Sequence, residues 1–310
     1  MSETLTLTRP ENGLSLFCHL LNGRVVPGSI WHSATWRMKF LMRSLAYPLA
    51  SFQHLQHIAT QPVMREALYL QPTLPGKIHR PYLYMGLSVR QRVQALSQHY
   101  RFVQQVPSLI LRNALLSSQR TVLLSFNGKE GEEFQLSLIC NGRCEREGEV
   151  NMLLHCNGIM LAILTFSVVE RNGLPVMLIG GMQGAHSETP HALIRSATKS
   201  CYGLFPKRIL LEGASLLARA TGISAILAVS NRGHTYRSLR YRFKKKEVFV
   251  ASYDEFWQSV SAEPISPQLW QLPLTFSQKT IEEIPSKKRA EYRRRYDLLE
   301  DLRQQFARFH

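Results

Sequence analysis

The residues best placed to do chemistry cluster at two strand ends. The first is Gly180-Gly181-Met182-Gln183-Gly184, which closes the apolar run that begins at Pro175 and stands ahead of two helix-like segments. Glycines at a strand end let a backbone approach another group closely, and a helix start behind them offers unpaired N–H groups to an anion. In that reading Gly180, Gly181 and Gly184 cradle a pyrophosphate or carbonyl, Gln183 makes a polar contact, and Lys199, Lys207 and Arg208 supply positive charge. A β-bulge at the end of a central strand would leave the same signature. The second group is Asn231, His234 and Tyr236, just past the apolar run 223–230. There a histidine can act as general base near neutral pH and a tyrosine can donate to an oxyanion or a leaving thiolate. The plainer alternative is that Asn231 and His234 satisfy backbone groups in a turn.

Several chemistries are disfavoured. The sequence contains no G-x-x-x-x-G-K-[ST] loop and no G-x-G-x-x-G fingerprint, which argues against ATP and nicotinamide cofactors. Ser215 sits inside a predicted helix and not at a strand-to-helix corner, so it is no nucleophile elbow. Cys140, Cys144, His155 and Cys156 lie in or beside predicted strands, where adjacent side chains point to opposite faces, and no metal site is expected. Five cysteines without the density of a stapled secreted scaffold read as reduced thiols of a cytosol.

The elements that must position these residues fall into three stretches. Residues 31–70 mix Trp31, Met38, Phe40, Leu45, Leu49 and Phe52 with Arg37, Lys39 and Arg43 in a helical pattern interrupted at Pro48 and Pro62. Such a basic amphipathic stretch either covers a core or attaches to an anionic membrane surface. Residues 88–106 read as a further helix. From Thr121 the period changes to strands: TVLLSF, EFQLSLIC, EVNMLLHC, MLAILTFSVVE and PVMLIGGM are separated by turn signals that include Asn157-Gly158 and Asn172-Gly173. Two helices follow, begun at Pro190 and Pro206 and ended at Gly203 and Gly222, and then the buried strand 223–230. A further strand is expected at Glu247 to Ala251, and a C-terminal helix with Ser286 as N-cap. The fold class is therefore α+β: a largely antiparallel mixed sheet flanked by helices. Its organisation is an N-terminal helical region (1–115), an α+β core (116–262), and a C-terminal loop with a basic amphipathic helix (263–310).

The formal net charge of +16 implies polyanionic partners. The runs Lys244-Lys245-Lys246, Lys287-Lys288-Arg289 and Arg293-Arg294-Arg295 read as solvated faces or as contacts to anionic lipid. No helix-turn-helix, zinc-finger or aromatic RNA-binding signature accompanies them, which disfavours nucleic acid. The N-terminus lacks a basic region followed by an apolar core, and no apolar run reaches the length of a membrane span, so a soluble or peripherally bound protein is expected.

KIHRPYL, LIGGMQG, the block from Ala197 to Asn231 with His234-Thr235-Tyr236 behind it, and IPSKKRAEYRRRYDLL together resemble the VirK/YbjX family of bacterial domains of unknown function. The resemblance spans most of the chain from about residue 70. It implies a cytoplasmic Gram-negative protein, free or peripheral at the inner membrane, tied to envelope remodelling, antimicrobial-peptide resistance and virulence. The order of elements also resembles the acyltransferase fold of the GNAT superfamily, in which a strand, a phosphate-binding loop and a splayed partner strand admit an acyl donor. Two departures stand out: the Q/R-x-x-G-x-G/A signature is absent, and two helices precede the next strand. That likeness implies a GNAT-like core using an acyl-CoA or acyl-carrier-protein thioester. The competing expectation is a non-catalytic adaptor that binds anionic lipid or an envelope component.

Overall fold

The computed structural model describes residues 10–237 and 253–309. The strand expected at Glu247 to Ala251 and the run Lys244–Lys246 lie outside the described residues.

Six helices come first: α1 (Gly13–Asn22), α2 (Ala34–Ala46), α3 (Pro48–Thr60), α4 (Pro62–Leu70), α5 (Val89–Gln105) and α6 (Leu109–Leu116). The two prolines that interrupt the helical pattern each take the first position of a new helix, where the missing N–H costs nothing. Helix α5 opens on a capping box, in which the Ser88 and Gln91 side chains serve each other's backbone N–H.

The sheet is built from β1 (Thr121–Asn127), β2 (Glu133–Ile139), β3 (Val150–Cys156), β4 (Ile159–Arg171), β5 (Leu174–Gly184), β6 (Ala225–Val229), β7 (Glu263–Ser266) and β8 (Leu269–Leu272). Its order is β1-β2-β3-β4-β5-β6-β8-β7, and β5 with β6 is the parallel pair among antiparallel neighbours. The five-strand meander follows the sequence reading because its turns are local. Asn157-Gly158 and Asn172-Gly173 adopt the positive φ values that a two-residue hairpin needs, at 46° and 80° and at 52° and 75°. Between β5 and β6 run α7 (His191–Ser200) and α8 (Pro206–Ala220). After β6 come α9 (Tyr253–Ser259) and, beyond the β7–β8 hairpin, α10 (Arg289–Ala307).

Two expectations are corrected. Residues 263–272 are not loop: β8 pairs with β6, and Leu269, Trp270 and Leu272 are buried. A four-residue strand has no period of its own, and its extended state comes from the partner. Ser286 does not cap α10 either. Pro285 leads into a 3-10 turn over Ser286–Lys288, closed by Lys288 N–H donating to Pro285 O at 2.8 Å.

The sheet is covered on both faces. Helix α8 lies on the face that carries Leu136 and Met152, which stand so close to Gly213 that a side chain there would overlap Leu136. Helix α5 covers the other face, which holds a buried polar row of Ser137, Asn151, Thr165, Ser167 and Glu149. Among the described residues no helix is long and apolar enough to cross a membrane.

Candidate functional site

Strand β5 carries a bulge at Gly180: Thr165 pairs with Gly181 and Phe166 with Ile179, which leaves Gly180 as the extra residue. What the glycines admit is the chain itself. A Cβ at Gly180 would overlap the backbone of Glu147, and one at Gly181 would overlap the Glu147 carboxylate. Gly184 faces open space.

Glu147 belongs to the turn-rich link between β2 and β3, where Cys144 has a φ of 55° and the Glu147 N–H donates to Cys144 O at 2.8 Å. Its carboxylate is buried against three of the sequence candidates or their neighbours. Gln183 Nε2 donates to Oε1 and Oε2 at 3.2 and 3.3 Å. His234 Nε2 lies 3.3 Å from Oε1, with His234 and Glu147 both almost wholly buried. His234 Nδ1 accepts from the Tyr236 N–H at 3.3 Å, which leaves Nε2 as the ring nitrogen nearest the carboxylate. The imidazole stacks on Tyr253 and meets Tyr236 edge-on, with centroids 5.5 and 4.9 Å apart.

Asn231 ties α9 to the end of β6. Its Oδ1 accepts from the Tyr253 N–H at 2.8 Å, and its own N–H donates to Asp254 Oδ1 at 3.1 Å. Helix α9 then fills the space beyond the last β5–β6 pair, Ile179 with Ala228. The Tyr253 hydroxyl accepts from the Met182 N–H at 3.1 Å, and Trp257 Nε1 donates to Val229 O at 2.7 Å. Burial pushes the Tyr253 phenol well above its ordinary range.

The cationic candidates stand apart from this cluster. Lys199 is exposed in the last turn of α7. Lys207 lies 5.9 Å over the Phe256 ring, and desolvation lowers its pKa. Arg208 pairs with Glu212 at 2.8 Å and covers Phe276. With Lys279, Arg295, Tyr292 and Tyr296 it lines a cavity of about 390 Å³. So the structure joins Gly180, Gly181, Gln183, Asn231, His234 and Tyr236, and it leaves Lys199, Lys207 and Arg208 elsewhere.

Sequence reasoning missed the acidic segment that organises the cluster, Glu145-Arg146-Glu147-Gly148-Glu149. Glu145 is 3.3 Å from Arg80, Glu147 takes Gln183 and His234, and Glu149 is fully buried. Lys77 Nζ donates to Glu149 Oε1 at 2.6 Å, Tyr82 to the same oxygen at 2.8 Å, and Tyr100 to Oε2 at 2.5 Å. Burial opposes the Glu149 charge, but Lys77 and the Tyr100 hydroxyl outweigh it and hold the carboxyl below its ordinary range. Burial raises both phenols in turn, and the Glu149 charge adds to it. KIHRPYL, GGMQG and HTY, far apart in sequence, thus converge on alternate glutamates of one short segment. The available signal was that spacing, read too readily as a polar turn.

Among the described residues no three histidine, cysteine or acidic side chains gather as metal ligands. The five cysteines, all described, form no disulfide, and burial pushes the Cys140 thiol up to about 12.

Comparison with known proteins gives matches along nearly the whole chain. The family described as "Protein of unknown function (DUF535)" matches residues 29–308. "Uncharacterized protein YbjX" of Escherichia coli K12 is 41% identical over 98% of this chain and 92% of its own length. An uncharacterized Haemophilus influenzae protein is 29% identical over 69% of this chain and 70% of its own. "Membrane protein LapB" of Mannheimia haemolytica is 23% identical over 63% of this chain and 83% of its own.

Proposed function

The chain belongs to the DUF535 family, and from that premise we propose that it is a peripheral protein of an anionic membrane surface, held there by the corner between α2 and α3. One observation carries this reading: the corner is apolar and points outward. Met38, Met42, Leu45, Tyr47, Leu49 and Phe52 are all exposed, with Leu49 the most open at 73%. Positions 38, 42 and 45 form one line along α2, and Lys39 and Arg43 form the adjacent line. An apolar ridge beside a cationic one, with a tyrosine at the tip, is the pattern of a segment that lies in a headgroup interface. A contiguous exposed patch of this kind is unusual on a protein with no partner. The inner faces of the same helices bury Phe40, Leu55 and Ile58, so one stretch serves both the core and the surface.

The printed name of the Mannheimia relative, a membrane protein, is in keeping with this reading. The C-terminal helix α10, which follows the basic run 287–289 and carries 293–295, packs on α8 and β1, on the face of the sheet opposite α5. In this reading the protein serves the bacterial envelope from the inner-membrane surface, as an adaptor or as an enzyme working there. The test is sedimentation with phosphatidylglycerol vesicles and with phosphatidylcholine vesicles at low salt. Binding to the anionic vesicles alone is expected, and equal binding to both or to neither overturns the proposal.

A second reading, acyl transfer from a CoA or carrier-protein thioester, rests on the buried Glu147–His234 pair, which sits where the parallel strands end. In it the carboxylate holds His234 in one tautomer and Tyr236 and Asn231 complete the wall. Against it stands α9, whose Tyr253 and Trp257 occupy the crevice between β5 and β6. Coenzyme A or an acyl-CoA should raise the melting temperature if the reading holds. No shift at concentrations up to about 1 mM, the weak end of useful affinity, removes it.

A further inference from the structure

The cavity of about 390 Å³ is bounded by the start of α8, the end of α9, the link from β8 to α10 and the first turns of α10. Its volume falls within the range of about 300–1,000 Å³ of sites that take small molecules. Three cations line it, Arg208, Lys279 and Arg295, and no acidic side chain does. The two arginines are braced by the fold. Arg295 Nε donates to Tyr202 O at 2.7 Å, and its guanidinium lies 4.1 Å over the Tyr292 ring. Gly203, at a φ of 80°, leaves the room that this guanidinium occupies, since a Cβ there would stand 2.5 Å from Nη2. Neither terminal nitrogen of Arg295 meets an acceptor among the described residues. Arg208 gives Nε and Nη2 to Glu212 at 3.2 and 2.8 Å and lies over Phe276, which leaves Nη1 open. Lys279 is exposed at the rim. Helix α8 starts on this wall without a capping side chain, so its positive end adds to the charge. The remaining wall is largely aromatic: Phe205 is 42% exposed, and Tyr292 and Tyr296 meet edge to face. Two segments that the sequence singles out and the Glu147 cluster does not use, around Phe205 and around Tyr292, thus meet in one cavity.

We propose that this cavity binds a small phosphomonoester with a planar body, the nucleoside monophosphates being the common cellular kind. The phosphoryl group lies against Arg208, Lys279 and Arg295, and the ring lies against Tyr292, Tyr296 and Phe205. Both halves of the lining select this occupant. Guanidinium forks match phosphate oxygens in pairs, and a neutral ring would leave three cations unanswered. Aromatic faces take a base by stacking, and a bare anion would leave them wet. The missing glycine-rich phosphate loop is no obstacle, because side chains supply the contacts here. The site is independent of the apolar ridge at the α2–α3 corner.

The test is isothermal titration of the full chain with adenosine monophosphate, cytidine monophosphate and phenyl phosphate, against adenosine and inorganic phosphate as the two halves alone. Saturable binding of the three monoesters is expected, at least tenfold tighter than either half. Lys279→Glu reverses a charge at an exposed position, and Ser277→Trp, also exposed, fills the cavity without changing charge. Each should weaken binding by about tenfold or more, while Lys39→Glu, the same charge change on α2, should leave it within twofold. Melting curves monitor the fold, and two variants from exposed positions keep the test valid should one unfold. No saturable binding of any monoester up to about 1 mM overturns the proposal. So does wild-type affinity in both cavity variants, or adenosine or inorganic phosphate binding as tightly as the monoesters. An equal loss in Lys39→Glu would assign the binding to overall charge and overturn it as well.

Discussion

Leu49→Asp isolates the ridge from the rest of the molecule. Leu49 follows Pro48 in the first turn of α3, a helix whose N-cap makes no side-chain hydrogen bond, and 73% of it is open to solvent. An aspartate in that turn meets the positive end of the helix dipole and supports the fold. Any loss of binding is therefore not a loss of folding. Burying a whole leucine is worth about 2 kcal/mol, so moving the open fraction of Leu49 into a headgroup interface contributes about 1.5 kcal/mol. A negative charge placed at an anionic surface costs about a further 1 kcal/mol. The sum, about 2.5 kcal/mol, lowers the partition coefficient roughly seventyfold. The assay is sedimentation over a titration of phosphatidylglycerol vesicles, with Leu109→Asp as control, since Leu109 is 63% exposed on α6, away from the α2–α3 corner. A Leu49→Asp partition within twofold of the wild type, or an equal loss for Leu109→Asp, refutes the reasoning.

Three further outcomes are expected. Gly180→Ala meets the Glu147 backbone and Gly181→Ala meets its carboxylate, so in thermal denaturation both should lose about 1–3 kcal/mol, Gly180→Ala more, while Gly184→Ala stays within about 0.5 kcal/mol. Lys77→Met strands the buried Glu149 carboxylate and should cost about 3–5 kcal/mol in urea unfolding; a loss under about 1 kcal/mol would mean that the pair is not sealed from water. Burial lowers the pKa of His54 and His99 to about 4, below the unfolded value of about 6.5, so the fold holds them neutral. The unfolded chain then binds more protons between those values, so stability is complete above about pH 6.5 and falls as the pH drops towards 4, and His54→Gln should make that slope shallower.

What could be read from the sequence was whatever is decided by neighbours along the chain. Asn157-Gly158 and Asn172-Gly173 dictate their hairpins through backbone φ, Pro48 and Pro62 place helix starts, and the alternation from Thr121 sets a meander in which each strand pairs with the next. The glycines of β5 were legible as a demand for close approach, but the group that approaches lies more than thirty residues upstream. No periodicity distinguishes Glu147 from the other charged residues of its turn. Its burial arises because the β2–β3 link folds over the bulge at Gly180 and meets the end of β6, which brings His234 within 3.3 Å. Lys77 and Glu149 were as hidden, since a salt bridge between residues seventy-two apart exists only once α5 and the sheet have closed over it. The β7–β8 hairpin likewise owes its strands to the open edge of β6. Local sequence thus determined the helices, the turns and the order of the meander, because backbone torsion and short-range patterning are carried by adjacent residues. Which acid faces which base, and which apolar side chains stay outside, was decided by tertiary packing, because those pairings belong to surfaces that meet only when distant elements dock.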